Sequence, residues 1–172
     1  MRRFSIQLLT FLGLSLGTIT GCSAPTAPTT PATSTTTDDD HDHDRDKMLI
    51  AHLGKYHACL TAHLSSKDGN ELDVFVETIG QDPTPVALPL LKLVGKAKRA
   101  DGTEQEVIFE PAPANERPKD EKGGACSHYV AKTPWMKADD VFTLTLEAEL
   151  DGRVRKATWK SFNPKKYAHH ED

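Results

Sequence analysis

The 172-residue sequence has no apolar run long enough to cross a bilayer. The apolar segment near its start is too short, and no later segment is apolar for about 18 residues. Methionine is scarce: after Met1 only Met48 and Met136 remain, too few for a methionine-rich Cu(I) site. No window shows the period of an amphipathic helix, and no internal repeat is present. These absences exclude a membrane-spanning helix and favour strands over helices.

Motifs that mark catalytic sites are also missing. The sequence contains no G-x-S-x-G, no H-E-x-x-H, no phosphate-binding loop and no paired-cysteine redox motif. Serine, histidine and aspartate occur, as in almost every chain, but nothing in their spacing places them together. We therefore predict that the protein is not an enzyme.

The N-terminus is typical of an exported protein. Two arginines, an apolar segment over residues 4–20 and then Gly21-Cys22 follow the order of a secretory signal peptide. Residues 19–22, ITGC, resemble the bacterial lipobox, in which the cysteine is lipidated and becomes the mature N-terminus. We expect a signal peptide over 1–21 and a palmitate-type lipid on Cys22, which would anchor the protein in the cell membrane or outer membrane. The alternative is an ordinary secretory signal with a chance cysteine.

A low-complexity segment, residues 22–47, follows the predicted cleavage site. Residues 23–37 contain only Ser, Ala, Pro and Thr, and residues 38–46 read DDDHDHDRD. Neither stretch can build a core, so we predict a disordered tether. Loss of the two arginines with the signal leaves 19 basic against 25 acidic residues, a charge of −6, which excludes nucleic acid as a favoured partner. One folded domain is predicted over 48–162, in the periplasm or at the cell surface, and a flexible histidine-containing tail over 163–172.

The folded segment has the pattern of short strands joined by turns. Residues 141–150 alternate apolar and polar side chains, and Asp151-Gly152 after them is a typical hairpin turn. Residues 48–64 are consistent with one strand, in which Gly54 is a bulge or a break. We predict an antiparallel β-sandwich of about seven or eight strands, immunoglobulin-like in the broad sense.

Three short stretches carry a family resemblance: HLGKYHACLTAHLSSKDGNELDVFVET at 52–78, PVALP at 85–89 and SHYVAK at 127–132. With them the chain resembles a group of uncharacterised, His-rich bacterial lipoproteins typical of planctomycetes. The resemblance implies a periplasmic β-sandwich and no established activity. Some members are loosely similar to periplasmic parts of heavy-metal efflux systems, which implies metal handling. This sequence departs from the group in having Cys59 where an acidic or polar residue is usual.

The cysteines divide into one for lipid and two for the folded domain. Cys22 is expected to be lipidated, which leaves Cys59 and Cys126 in an oxidising compartment. Two thiols in one exported domain most often pair, so we predict a Cys59–Cys126 disulfide. It would close a loop of about 67 residues and stabilise the fold by ~4 kcal/mol in the chain-entropy model. The alternative is two distant free thiols, one of them a metal ligand.

Two histidines share one face of the predicted 48–64 strand. His57 and His63 are about 20 Å apart along an extended strand, which is too far for both to bind one ion. His57 and Cys59 are close enough to share an ion, but that site needs further ligands from a neighbouring strand. The alternative is that these histidines are simply solvated.

The two ends of the chain are the stronger candidates for metal binding. His41 and His43 alternate with aspartates, and His169-His170 precede two acidic residues; such groups bind Zn²⁺, Cu²⁺ or Ni²⁺ weakly. We predict a membrane-anchored, non-enzymatic lipoprotein of the cell envelope that chelates divalent metal through its tether and tail. The alternative is a structural or protein–protein interaction module of the envelope, in which the histidines are incidental.

Overall fold

The computed structural model describes residues 45–121 and 124–171, apart from the side chains of the last two. Cys22, His41 and His43 therefore lie outside the described residues. Two 3-10 helices occur, at Arg45–Lys47 and Ala114–Glu116, and no helix in the described part of the chain is long and apolar enough to span a bilayer. The strands are β1 Leu49–Leu53, β2 Tyr56–Leu64, β3 Glu71–Thr78, β4 Leu93–Arg99, β5 Glu104–Pro111, β6 His128–Lys132, β7 Phe142–Leu150, β8 Arg153–Phe162 and β9 Ala168–Glu171.

The first eight strands form one nearly closed antiparallel sheet. Their order is β1-β2-β3-β6-β5-β4-β7-β8. Its two halves, β1-β2-β3-β6 and β5-β4-β7-β8, are joined where Glu110 and Pro111 of β5 pair with Val130 and Tyr129 of β6. At the other end β1 packs beside β8. The prediction of an all-β, antiparallel fold is confirmed.

Both halves share one core because their strands alternate. In β7 every second side chain from Phe142 to Leu150 is buried, as expected for a strand with one face in the core. The inward side chains of the other strands join the same cluster, in which Trp159 and Tyr129 are among the largest fully buried. The Tyr129 hydroxyl donates a hydrogen bond to Leu88 O at 3.1 Å, so its polar end is satisfied. Side chains that could bind a ligand are therefore to be found on the outer faces of the sheet.

Residues 48–64, predicted as one strand, are two strands with a reversal between them. Gly54 has φ +66°, a left-handed conformation that residues with a side chain disfavour. Gly54 and Lys55 make a two-residue turn between β1 and β2. The register then places His52 directly opposite His57. The break foreseen at Gly54 is thus a complete hairpin turn.

The segment predicted as a flexible tail contains β9. This strand runs parallel to β2 and pairs with it beyond the end of β1. The N–H of Ala62 donates to Tyr167 O at 3.0 Å, and Ala168 is buried. The predicted domain limits of 48 and 162 are therefore too narrow. The prediction failed because a four-residue strand is too short to show a period.

Candidate functional site

One outer face carries every histidine side chain that the structure describes. The odd-numbered residues of β2 alternate with its core residues, so His57 and His63 both point away from the core. Strands β1, β6 and β9 place one histidine each on the same side of the sheet. We call this surface the histidine face, and its histidines are His52, His57, His63, His128 and His169.

The outer face of the other half has a different chemistry. Lys98 lies 3.4 Å from Glu104 across β4 and β5, and Lys156 lies 2.5 Å from Glu147 across β7 and β8. These side chains are more than half exposed. Opposite charges on neighbouring strands make a solvated surface of modest stabilising value. This face is therefore a weaker candidate for a binding site.

His52 and His57 form a cross-strand pair. Their ring centroids are 5.0 Å apart and the rings meet edge to face, at 65°. His52 was not predicted as a site residue because residues 48–64 were predicted to be one strand. The sequence did contain an indication of this pair. A two-residue turn at Gly54 and Lys55 places Leu53 opposite Tyr56, and therefore His52 opposite His57.

Glu77 of β3 lies beside this pair and contacts three other side chains. Its carboxylate accepts hydrogen bonds from the Arg45 guanidinium at 2.8 and 2.9 Å and one from the Cys59 thiol at 3.2 Å. Its Oε1 is 3.7 Å from His57 Nδ1, a buried nitrogen without a hydrogen bond. The Glu77 and His57 side chains are 13% and 18% exposed, so charges here are less screened than on open surface. The hydrogen bond to Glu77 raises the pKa of Arg45.

The predicted Cys59–Cys126 disulfide is absent, and both thiols are free. Cys59 lies on the histidine face, whereas Cys126 belongs to the core cluster on the other side of the sheet. The Cys126 thiol donates a hydrogen bond to the carbonyl of His128, and burial raises its pKa. Burial, followed by the hydrogen bond to Glu77, raises the pKa of Cys59 to about 12. The Cys59 thiol therefore keeps its proton, which it donates to Glu77.

We expect both Cys59 and Cys126 to react with a thiol reagent in the unfolded chain, and almost no thiol to react in the folded chain. In a Cys22→Ser variant, unfolded in urea without reductant, a disulfide-based reagent should titrate both cysteines. In the folded protein at pH 8, alkylation should be slower by about tenfold or more, because a thiol with a pKa of about 12 is almost wholly protonated. The folded-state rate should rise with pH. A titre of zero in urea would instead establish the disulfide.

His63 and His169 form a second cross-strand pair. Their ring centroids are 5.8 Å apart, at 66°. Thr61 connects β2 to β9 here: its hydroxyl donates to Tyr167 O at 2.5 Å and lies 3.2 Å from His169 Nδ1. A histidine assigned to the tail thus lies on the strand face. His57 and His63 belong to different pairs, each with a partner from another strand.

His128 is buried and has acceptors at both ring nitrogens. Nε2 is 2.9 Å from Asp73 Oδ1, and Nδ1 is 3.0 Å from the carbonyl of Glu116. A carbonyl only accepts, so Nδ1 donates to Glu116, and Nε2 is held by the Asp73 carboxyl group. Phe75 stacks on the ring, with centroids 4.2 Å apart. Both ring nitrogens of His128 are therefore already engaged, and the side chain holds the loop around Glu116 against the sheet.

The described residues contain no group of three or more His, Cys, Asp or Glu side chains that could hold a metal ion as they stand. The histidine face offers pairs instead. Among the predicted ligands, His57 and His169 are found in such pairs. The tether histidines His41 and His43 and the side chain of His170 lie outside the described part of the chain.

Comparisons with protein-family models, curated proteins and solved structures found no match for this chain. The resemblance to His-rich lipoproteins therefore stays a prediction.

Proposed function

We propose that this chain is a non-enzymatic lipoprotein of the cell envelope, anchored through Cys22, that binds divalent transition metal on its histidine face. One observation carries the proposal: His52 pairs with His57, and His63 with His169, across neighbouring strands of a single face. Neutral imidazole is a preferred ligand of Zn²⁺, Cu²⁺ and Ni²⁺. A pair held on two strands is partly preorganised, which lowers the entropy lost on binding.

Each of the two histidine pairs offers two imidazoles to a metal ion, which supports reversible chelation. Structural zinc sites are closed by four protein ligands, whereas a pair leaves the remaining positions to water or to mobile ligands. Further imidazoles lie close by in the sequence, since His41 and His43 precede Arg45 by four and two residues. A protein of this type buffers metal near the membrane surface and releases it again.

Calorimetric titration of the Cys22→Ser chain with Zn²⁺, Cu²⁺ and Ni²⁺ tests the proposal. We expect at least one metal to bind with a Kd below about 100 μM, roughly −5.5 kcal/mol. Replacing His52 and His57 together by alanine, and His63 and His169 together, should each remove one binding event. Circular dichroism confirms that each variant is folded, which is expected because these side chains lie outside the core.

The tether provides the matched control. A variant with His41→Ala and His43→Ala removes the same number of imidazoles, and it should retain both binding events of the face. If that variant alone abolished binding, the tether and not the face would be the chelator. If no metal bound below about 100 μM to the unaltered chain, the histidine face would be left as a surface for another envelope protein.

A further inference from the structure

The Glu77 carboxylate is the point at which a cation already binds to the histidine face. Arg45 places its guanidinium there through two hydrogen bonds of 2.8 and 2.9 Å. Its side chain is 47% exposed, whereas that of Glu77 is 13% exposed. The carboxylate is thus fixed in a sheltered position, and its counter-ion comes from a solvent-exposed segment at the start of the described chain. Such a counter-ion can leave without disturbing the core.

The atoms around Glu77 are spaced for a smaller and more highly charged cation. Oε1 of Glu77 and Nδ1 of His57 are 3.7 Å apart. Two ligand atoms on one tetrahedral ion with bonds of about 2.0–2.1 Å are separated by about 3.3 Å. Small side-chain rotations would bring both onto one ion. His57 Nδ1 has no hydrogen bond to give up. The ring centroids of His57 and of His52 on the next strand are 5.0 Å apart.

We infer that His52, His57 and Glu77 form a divalent transition-metal site whose internal occupant is the Arg45 guanidinium, so that metal binding releases the segment Arg45–Lys47. This inference rests on the proposed function and names its site. The three donors do not converge while Arg45 holds the carboxylate. When the guanidinium leaves, Glu77 keeps only the hydrogen bond from the Cys59 thiol and can turn toward His57, and the divalent ion replaces one positive charge with two.

The release is transmitted to the chain that precedes β1. The Arg45–Lys47 helix is a single turn, closed by the hydrogen bond from Met48 N–H to Arg45 O. A helix this short is not stable by itself. The Arg45–Glu77 contact is one attachment of this turn to the sheet, and metal binding removes it. The protein would then respond to metal through the segment that leads from the tether into the domain.

Titration of Zn²⁺ and Ni²⁺ into Cys22→Ser chains with a second substitution tests the competition. Arg45→Gln should tighten metal binding at this site by about five- to tenfold, because a charge-assisted hydrogen-bonded competitor is removed. Glu77→Gln should weaken it by about tenfold or more, and His57→Ala should abolish it. The matched control is Lys98→Gln, which makes the same change of charge on the other half, next to Glu104. It should leave the Kd unchanged.

The release itself is measured by limited trypsin cleavage after Lys47 in the chain with Arg45 intact. Added Zn²⁺ should accelerate that cleavage severalfold, and the His57→Ala chain should show no acceleration. Thermal melts followed by circular dichroism establish that each variant is folded before its Kd is compared.

The outcomes separate the inference from the proposed function. If Arg45→Gln binds metal no more tightly than the unaltered chain, or if cleavage after Lys47 does not accelerate, the inference is overturned and the proposed function stands. The same holds if binding survives His57→Ala but is lost with His63→Ala. If no chain binds metal at all, both fail together.

Discussion

Replacing Asp73 by alanine is expected to lower the free energy of unfolding by about 1–3 kcal/mol, the usual cost of leaving a buried polar group without its hydrogen-bond partner. Asp73 and His128 are each 6% exposed, and their contact is 2.9 Å long. Without the carboxyl group, Nε2 of His128 remains buried and loses its partner, while Nδ1 still donates to the carbonyl of Glu116. The loop around Glu116 should loosen as well, since His128 is its contact with the sheet.

Urea unfolding at pH 7, followed by tryptophan fluorescence, measures this change. The control is Asp82→Ala, which removes the same carboxylate from an exposed position after β3 and should cost less than about 0.5 kcal/mol. A chain with Asp73→Ala and His128→Ala together should be more stable than the sum of the single changes predicts, because the two groups interact directly. A cost below about 1 kcal/mol for Asp73→Ala would mean that the pair is not buried in solution.

Replacing Trp159 by alanine is expected to cost about 3–5 kcal/mol, through lost burial and an unfilled cavity. Trp159 on β8 is 1% exposed and is the largest fully buried side chain among the described residues. It stands opposite Leu144 on β7 and fills the core that both halves share. Its Nε1 is buried without a hydrogen-bond partner. Trp159→Phe should therefore recover part of the loss, since it restores apolar volume and leaves no indole N–H to satisfy.

Thermal and urea unfolding monitored by circular dichroism is the appropriate measurement, because the substitution removes a fluorophore. Val154→Ala on the same strand is the control: Val154 is 63% exposed, and its truncation should change stability by less than about 0.5 kcal/mol. Equal effects of the Trp159 and Val154 substitutions would show that β8 does not cover the core.

Much of the fold follows from local pattern. The β7 stretch FTLTLEAEL alternates without interruption, and its buried residues are the ones that the alternation selects. The turn after it is a hairpin because Asp151 and Gly152 adopt φ of +53° and +69°, which Asp-Gly sequences tolerate well. The alternation of apolar and polar residues thus identified the strands, and the turn residues identified the hairpins between consecutive strands.

The neighbours of each strand did not follow from the same information. The alternation of apolar and polar residues shows which side chains of one strand share a face. It does not show which other strand pairs with that strand. In the structure β6 lies between β3 and β5, and β9 pairs in parallel with β2. The predicted disulfide failed for this reason: Cys59 and Cys126 were matched by number and compartment, without knowing that the sheet separates them.

The candidate site was predicted in part. The polar face of β2, with His57 and Cys59, was identified, as was its need for ligands from a neighbouring strand. His52 was missed because Gly54 was treated as a bulge. Glu77 was missed because hairpin pairing was not carried through to the register, which places it directly beside His57.

The parallel pairing of β9 has a consequence for how the chain avoids joining copies of itself. Beyond the end of β1, the backbone of β2 at residues 62–64 would be an uncovered sheet edge, and β9 pairs with it there. Uncovered edges recruit strands from other molecules. β9 is synthesised after every other described strand, so this edge of β2 stays open until β9 has been made. β9 therefore acts as a safeguard against aggregation, and a chain that lacked Ala168–Glu171 would lose it.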